Sequence, residues 1–218
     1  MAQSSPLIEY HMHMAPSADG TKRVALTFDA CTKRVDDRIL NALVENNIKA
    51  TIFVTRRWSK RNPKAIATLT AHTELFEIEN HGAEHVAAVE EPMVIYSDAS
   101  AGSVEAVREE VVNGTAALHK YFGTEPTWFR GATANYTKSS MELIESMGFK
   151  IAGFTFSGDA GASYTSQKAA KVVRAAKDGD VILAHINHPE LPAGAGVVEG
   201  ILRLKAEGFN FVKLNEGF

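Results

Sequence analysis

The sequence predicts an α/β fold in which a mostly parallel sheet of about seven strands curls into a barrel within a single domain. Three observations lead there. Short apolar runs alternate with helix-period segments along the chain, the pattern of parallel strands joined by crossover helices. No Pro-, Ser- or Gly-rich linker divides the 218 residues, a length that one barrel domain can occupy. Apolar residues make up 45 % of the chain, enough to bury a large core without disulfides or structural metals. The main competing arrangement is an open doubly wound sheet.

The elements follow in order. Residues 1–20 read as an N-terminal extension, and residues 21–218 as the barrel. Val24–Phe28 is a buried strand, followed by Ile39, Leu40, Leu43 and Val44 at helical spacing. Ala50–Val54 is a second strand, and Pro63 opens a short helix at the position that tolerates proline. Leu75–Ile78 is a weaker third strand. Residues 86–102 fit neither period and read as a long loop, which is uncommon unless functional or disordered. A helix from about Ser103 carries Val104, Val107, Val111 and Leu118 on one face and stops at Gly123 and Pro126. Thr127–Phe129 is a fourth strand, and Ser139 caps a helix ending at Gly148. Lys150–Phe156 is a fifth strand, residues 167–177 are helical, and Asp180–Ala184 is a sixth strand. Residues 197–205 are helical, and Phe209–Leu214 is the last strand.

Composition narrows the function. The formal net charge is −3 with no basic stripe, which argues against a phosphate-backbone partner. No apolar run reaches the ~18–20 residues of a membrane span. The polar start, Met1 to Pro6, has no signal-peptide pattern, so the chain reads as either cytoplasmic or a mature exported protein. One cysteine, Cys31, excludes an internal disulfide.

Reactive side chains sit directly after several strands. Asp29 ends the first; Asn80, His81 and His85 follow the third; Arg130 follows the fourth; Asp159 comes after the fifth; His185 ends the sixth. In a parallel barrel these strand ends meet at one mouth, where active sites lie. The four-residue spacing of His81 and His85 places both imidazoles on one side of a helical turn, a geometry that suits Zn²⁺. Alone, such a pair is more often two surface histidines; its neighbours favour a metal site. Asp29 is a ligand or general base, with helix capping as its structural alternative. His185 is a metal ligand or proton donor, the alternative being a hydrogen-bonded core histidine. Arg130 and Asp159 could pair with each other, either to orient a catalytic acid or as a structural pair. Cys31 reads as a buried inert thiol in preference to a soft-metal ligand. His11 and His13 resemble a metal-binding tail but lie where chains usually fray. His188 lines the mouth without a chemical role. Trp58, Trp128, Tyr96 and Tyr136 are the candidate faces for stacking a sugar.

These residues, in this order, resemble the polysaccharide deacetylases of carbohydrate esterase family four. The segments are Leu26-Thr27-Phe28-Asp29, Asn80-His81-Gly82-Ala83-Glu84-His85, Phe129-Arg130-Gly131, Asp159 and Ile182-Leu183-Ala184-His185. The resemblance implies an irregular (β/α)7-type barrel, one divalent metal ion with zinc preferred, and hydrolysis of N-acetyl or O-acetyl groups on an acetylated glycan. It implies a secreted or periplasmic location. It makes Asp29 the base, His81 and His85 metal ligands, Arg130 the residue orienting the base, Asp159 the acid tuning His185, His185 the catalytic acid, and Leu183 part of the acetate pocket. The chain departs from the pattern at Ala30, where the family carries its metal-binding aspartate, at Gly131-Ala132-Thr133 after Arg130, and at Ala160. Three outcomes accommodate Ala30. Asp29 moves onto the metal, which three-ligand catalytic zinc favours; or two histidines and water bind it weakly; or catalysis is lost and a carbohydrate-binding cleft remains. A related amidohydrolase acting on a small amide is a further alternative.

Overall fold

A computed structural model of the chain describes residues 5–218; the first four residues of the expected N-terminal extension lie outside them. The strands are β1 (Ile8–Glu9), β2 (Arg23–Ala30), β3 (Ala50–Val54), β4 (Phe76–Asn80), β5 (Val94–Ile95), β6 (Asp98–Ala99), β7 (Trp128–Phe129), β8 (Asn135–Tyr136), β9 (Lys150–Ile151), β10 (Phe156–Ser157), β11 (Val181–His185) and β12 (Asn210–Val212). The helices are α1 (Asp37–Glu45), α2 (Arg56–Arg61), α3 (Pro63–Ala71), α4 (Val104–Phe122), α5 (Lys138–Ser146), α6 (Ser166–Arg174), α7 (Ala193–Ala206) and α8 (Leu214–Gly217).

The main sheet runs β10-β11-β2-β3-β4-β7-β9, with β12 paired to the start of β2, and every pairing in it is parallel. It is a curled half-barrel. The expected fifth strand, 150–156, explains the curl. It is two short strands at opposite edges of the sheet, joined by residues 152–155. The Ala152 N–H donates to Phe129 O at 2.9 Å and the Thr155 N–H to Val181 O at 2.7 Å. Five residue steps span at most roughly 18 Å, so the two edges must approach each other.

The N-terminal segment lies along that seam. Strand β1 pairs antiparallel with β8. The Met12 N–H donates to Phe154 O at 3.2 Å, the Met14 N–H to Gly179 O at 2.8 Å, and Met14 is fully buried. Gly153 permits this approach, since a Cβ there would stand 2.1 Å from Tyr10 O. His11 and His13 are held by Phe154 O and Asp180 instead of fraying.

Side-chain parity along the strands separates two apolar layers. On β2, Val24, Leu26, Phe28 and Ala30 face the helices, packing with Ile39, Leu43, Ile52 and Val197. Ala25 faces inward with Phe53, Val181 and Leu183. The helix boundaries follow local chemistry. Thr55 caps α2, a helix the sequence pattern does not reveal. Ser103 caps α4, and Gly123 ends it in the left-handed conformation at φ +65°. Thr137, not Ser139, caps α5. The 86–102 segment is not structureless, because β5 and β6 form a small hairpin anchored by buried Ala87, Ala88 and Val89.

Candidate active site

The parity that sends Ala30 outward sends Thr27, Asp29 and Cys31 inward. On the neighbouring strand, Val181, Leu183 and His185 face the same way, and His185 stands in register with Asp29. The result is a cleft of about 790 Å³ over the C-terminal strand ends, lined by Asp29, Cys31, His85, Asp98, Leu183 and His185 among others. That is an ordinary size for a small-molecule or sugar-unit site.

His81 and His85 meet, but not on a helical turn. Residues 81–85 form a loop in which Gly82 has φ +86° and His85 φ +61°; the imidazole centroids are 5.2 Å apart. The loop is held from behind. The Gly82 N–H donates to Asn80 Oδ1 at 2.8 Å, and Asn80 Nδ2 donates to Val111 O at 2.9 Å. The N–H groups of Glu84 and His85 each donate to Glu110 Oε1 at 2.9 Å. Asn80 is thus a loop clamp.

The histidine nitrogens are assigned by their partners. His81 Nδ1 lies 2.5 Å from Arg130 O, so it must carry the proton and donate, leaving the Nε2 lone pair free. Burial pulls the His81 pKa down to about 4, against the opposing pull of Asp29, and the ring is neutral at pH 7. His85 Nδ1 faces Asp98 Oδ1 at 3.5 Å, and the nearby imidazole holds the Asp98 carboxyl below its usual range.

Two acid–base pairs complete the site, and they are not the Arg130–Asp159 pair. Arg130, wholly buried, donates from Nη1 to Asp29 Oδ1 at 3.0 Å, from Nη2 to Thr27 Oγ1 at 2.9 Å and Gly153 O at 2.8 Å, and from Nε to Ala152 O at 3.3 Å. Its guanidinium lies 4.3 Å from the Phe53 ring centroid. Burial opposes a charged Asp29, but His81, Arg130 and His185 outweigh it and hold the carboxyl below its usual value. Of these, only Arg130 is charged at every relevant pH. Asp159 instead takes both the backbone N–H of His185 at 2.7 Å and its Nδ1–H at 3.0 Å. Burial disfavours the imidazolium, yet Asp159 overcomes that and lifts His185 to about 8.

Other expectations separate here. Tyr96 lines the cleft and is 79 % exposed, whereas Trp58, Trp128 and Tyr136 are buried in the core and offer no face to a sugar. His188 lines the cleft, 6.1 Å from the His185 ring. Leu183 forms part of its floor. Buried Asn187 also lines it, with both amide atoms lacking a protein partner. Glu110 and Asp98 were legible only indirectly. Glu110 is a carboxylate on the apolar face of α4, between Val107 and Gly114, and Asp98 lies in the anomalous 86–102 segment.

Three potential ligand atoms converge: Cys31 Sγ and one nitrogen each of His81 and His85 all lie within 4.8 Å of one another. Cys31 Sγ is 3.5 Å from His81 Nε2. Asp29 Oδ2 is 3.7 Å from the same nitrogen but lies outside the converging group. Two nitrogens and a sulfur are donors that zinc accepts, so the residues present fit a divalent ion.

Residues 17–152 match the family model for polysaccharide deacetylase. The chain belongs to the polysaccharide deacetylase family. The peptidoglycan-N-acetylglucosamine deacetylase PgdA of Listeria monocytogenes is 25 % identical over 206 residues, covering 92 % of this chain and 40 % of that protein. A bifunctional xylanase/deacetylase of Pseudobutyrivibrio xylanivorans is 25 % identical over 200 residues, covering 90 % of this chain and 30 % of that protein. The chain thus spans less than half the length of these curated relatives. The fold recurs in the peptidoglycan deacetylase PdaC of Bacillus subtilis, at TM-score 0.74 and 21 % identity, covering 92 % of this chain and 91 % of that one. It recurs also in BA3943, a CE4 family pseudoenzyme of Bacillus anthracis, at TM-score 0.71 and 17 % identity over 96 % of this chain and 69 % of that one. As a family member, the chain carries the expected curled (β/α)7-type fold in a single domain.

Proposed function

We propose that this chain is a metal-dependent hydrolase removing acetyl groups, N-acetyl by preference, from a polysaccharide or amino-sugar substrate, with residues 21–218 as the catalytic unit. One observation carries the reading: an anchored base, Arg130–Asp29, and an anchored acid, Asp159–His185, stand in register on adjacent strands beside the His81–His85 pair. Two titratable groups whose surroundings push their pKa values apart are the arrangement that acid–base chemistry at neutral pH needs. Family membership and the relatives, a peptidoglycan-N-acetylglucosamine deacetylase and a bifunctional xylanase/deacetylase, support an acetylated glycan as substrate.

His81 and His85 would hold the ion, zinc by preference. When bound, it supplies Lewis acidity to the acetyl carbonyl and to the attacking water. Asp29, ionised at neutral pH, accepts the proton of the water that adds to the acetyl carbon. Arg130 keeps that carboxylate oriented and charged. His185, protonated below about pH 8, delivers its Nε2 proton to the departing amine nitrogen. Leu183 packs beside the acetyl methyl, Tyr96 offers a ring to the sugar at the rim, and the unpartnered Asn187 amide is available to a sugar hydroxyl or carbonyl. The products are acetate and the free amine.

Incubation with N-acetylglucosamine oligomers and peptidoglycan fragments, with acetate measured before and after chelation, tests the reading. His81→Ala should abolish both metal uptake and acetate release. Undiminished, metal-independent turnover by that variant would sink the proposal. Ala30 motivates a second reading, a glycan-binding protein without catalysis, which predicts glycan binding with no acetate under any metal.

A further inference from the structure

We propose that Cys31 is the third protein ligand of the metal, making this a thiolate–bis-imidazole site and leaving Asp29 free as the base. The inference rests on the metal-dependent reading above and deepens it. Strand alternation carries the first step. Ala30, the residue next to Asp29, packs outward against the helices, while Asp29 and Cys31 both line the cleft. A side chain reaching the histidines from this strand end therefore comes from position 29 or 31.

Geometry then chooses between them. Tetrahedral zinc, with a sulfur at about 2.3 Å and nitrogens at about 2.0–2.1 Å, spaces its sulfur and nitrogen ligands roughly 3.6 Å apart. Cys31 Sγ stands 3.5 Å from His81 Nε2, and it falls within 4.8 Å of the His85 nitrogen as well. Asp29 joins no such three-way group. Its Oδ1 is engaged by Arg130 Nη1, and that guanidinium is itself fixed by Thr27, Ala152 and Gly153. The Arg130 network holds that oxygen as the anchored half of a base, and Oδ2 stands 3.7 Å from His81 Nε2, farther than the thiol sulfur.

The packing around the thiol agrees. Cys31 is only 6 % exposed, yet among the described residues it belongs to none of the apolar clusters where an inert cysteine would pack. Its hydrogen-bond partner is His81. Both histidines are braced at Nδ1, His81 by Arg130 O and His85 by Asp98, the outer support that ligating histidines usually have. Three protein ligands leave one position open, as catalytic zinc requires. A sulfur ligand also shifts preference toward zinc, cobalt and cadmium and away from magnesium, calcium and manganese.

Titration of the metal-free protein with Co²⁺ tests this directly, because Cys31 is the only sulfhydryl in the chain. A sulfur-to-cobalt charge-transfer band should grow in the near ultraviolet and saturate at one ion per chain. Cys31→Ser should lose the band and bind zinc at least ~100-fold more weakly in competition with a chelator. Cys31→Asp should keep binding without the band. If the ion binds through His81 but gives no band, and Cys31→Ser binds zinc as tightly, the Cys31 assignment is overturned while the histidine site stands. If the wild-type protein takes up no divalent ion, the metal-dependent reading itself fails. The wild-type spectrum decides even if a variant fails to fold.

Discussion

Replacing Asp159 by Asn separates a tuned proton donor from an ordinary buried histidine. Asp159 raises His185 from the usual 6.5 to about 8 in spite of burial. At 1.36 kcal/mol per pH unit, that is about 2 kcal/mol of added preference for the imidazolium. Burial acts in the opposite direction, so without the carboxylate the value should fall to 6.5 or below. At pH 7, roughly nine-tenths of His185 is protonated beside Asp159, and at most about a quarter beside Asn. The kcat/KM profile for acetate release should therefore lose its basic limb near pH 8 and regain it at or below 6.5. Activity at pH 7 should fall at least ~4-fold from protonation alone, with any loss of ring orientation added at every pH. The deficit should shrink several-fold by pH 5.5. Stability should move with it. A folded-state pKa above the unfolded one contributes stability that is complete below about pH 6.5 and lost as pH rises through 8. Wild type should lose about 2 kcal/mol across that window, and Asp159→Asn should not. A basic limb that stays near pH 8 in the variant would refute the role assigned to Asp159.

Other perturbations follow from the same contacts. Arg130→Met leaves the Asp29 carboxylate buried without its cation, so denaturant unfolding should show a loss of about 3–5 kcal/mol. The acidic limb of the pH profile should move upward as Asp29 becomes harder to ionise; an unchanged limb would exclude Arg130 as its support. Gly82→Ala would place a Cβ 2.4 Å from Glu110 Oε1 at φ +86°. It should cost about 1–3 kcal/mol by thermal unfolding and weaken zinc binding by displacing the His81–His85 loop, and full zinc affinity with unchanged Tm would count against this account of the loop.

Much of the fold is written locally. The runs at 24–28, 50–54 and 180–184 announce parallel strands because burial on both faces demands continuous apolar sequence. The helix after Ser103 is legible from its cap, its apolar stripe and Gly123. The split of 150–156 is not, since an apolar run looks the same whether it stays in one strand or crosses from one sheet edge to the other. Nor is the N-terminal strap, whose Met14 is buried by residues far along the chain.

The site divides along the same line. The strand-end positions of Asp29, His81, Arg130 and His185 were predictable because topology alone sends those ends to one mouth. The pairings were not. Arg130 reaches Asp29 across 101 residues and Asp159 reaches His185 across 26, distances over which spacing carries no directional information. Likewise the four-residue interval between the histidines suggested a helical turn, but two positive φ angles and the Glu110 carboxylate shape a loop instead.

The α/β layering, the family pattern and most of the reactive residues gathered at the barrel mouth are thus readable along the chain. Tertiary structure decided which carboxylate serves which partner, how the histidine loop is braced, and that the side chain standing with the two imidazoles is the Cys31 thiol. The reason is strand parity and register. Alternation turned position 30 to the helices and position 31 to the cleft, and the pairing of β2 with its neighbours set the distances that chemistry reads.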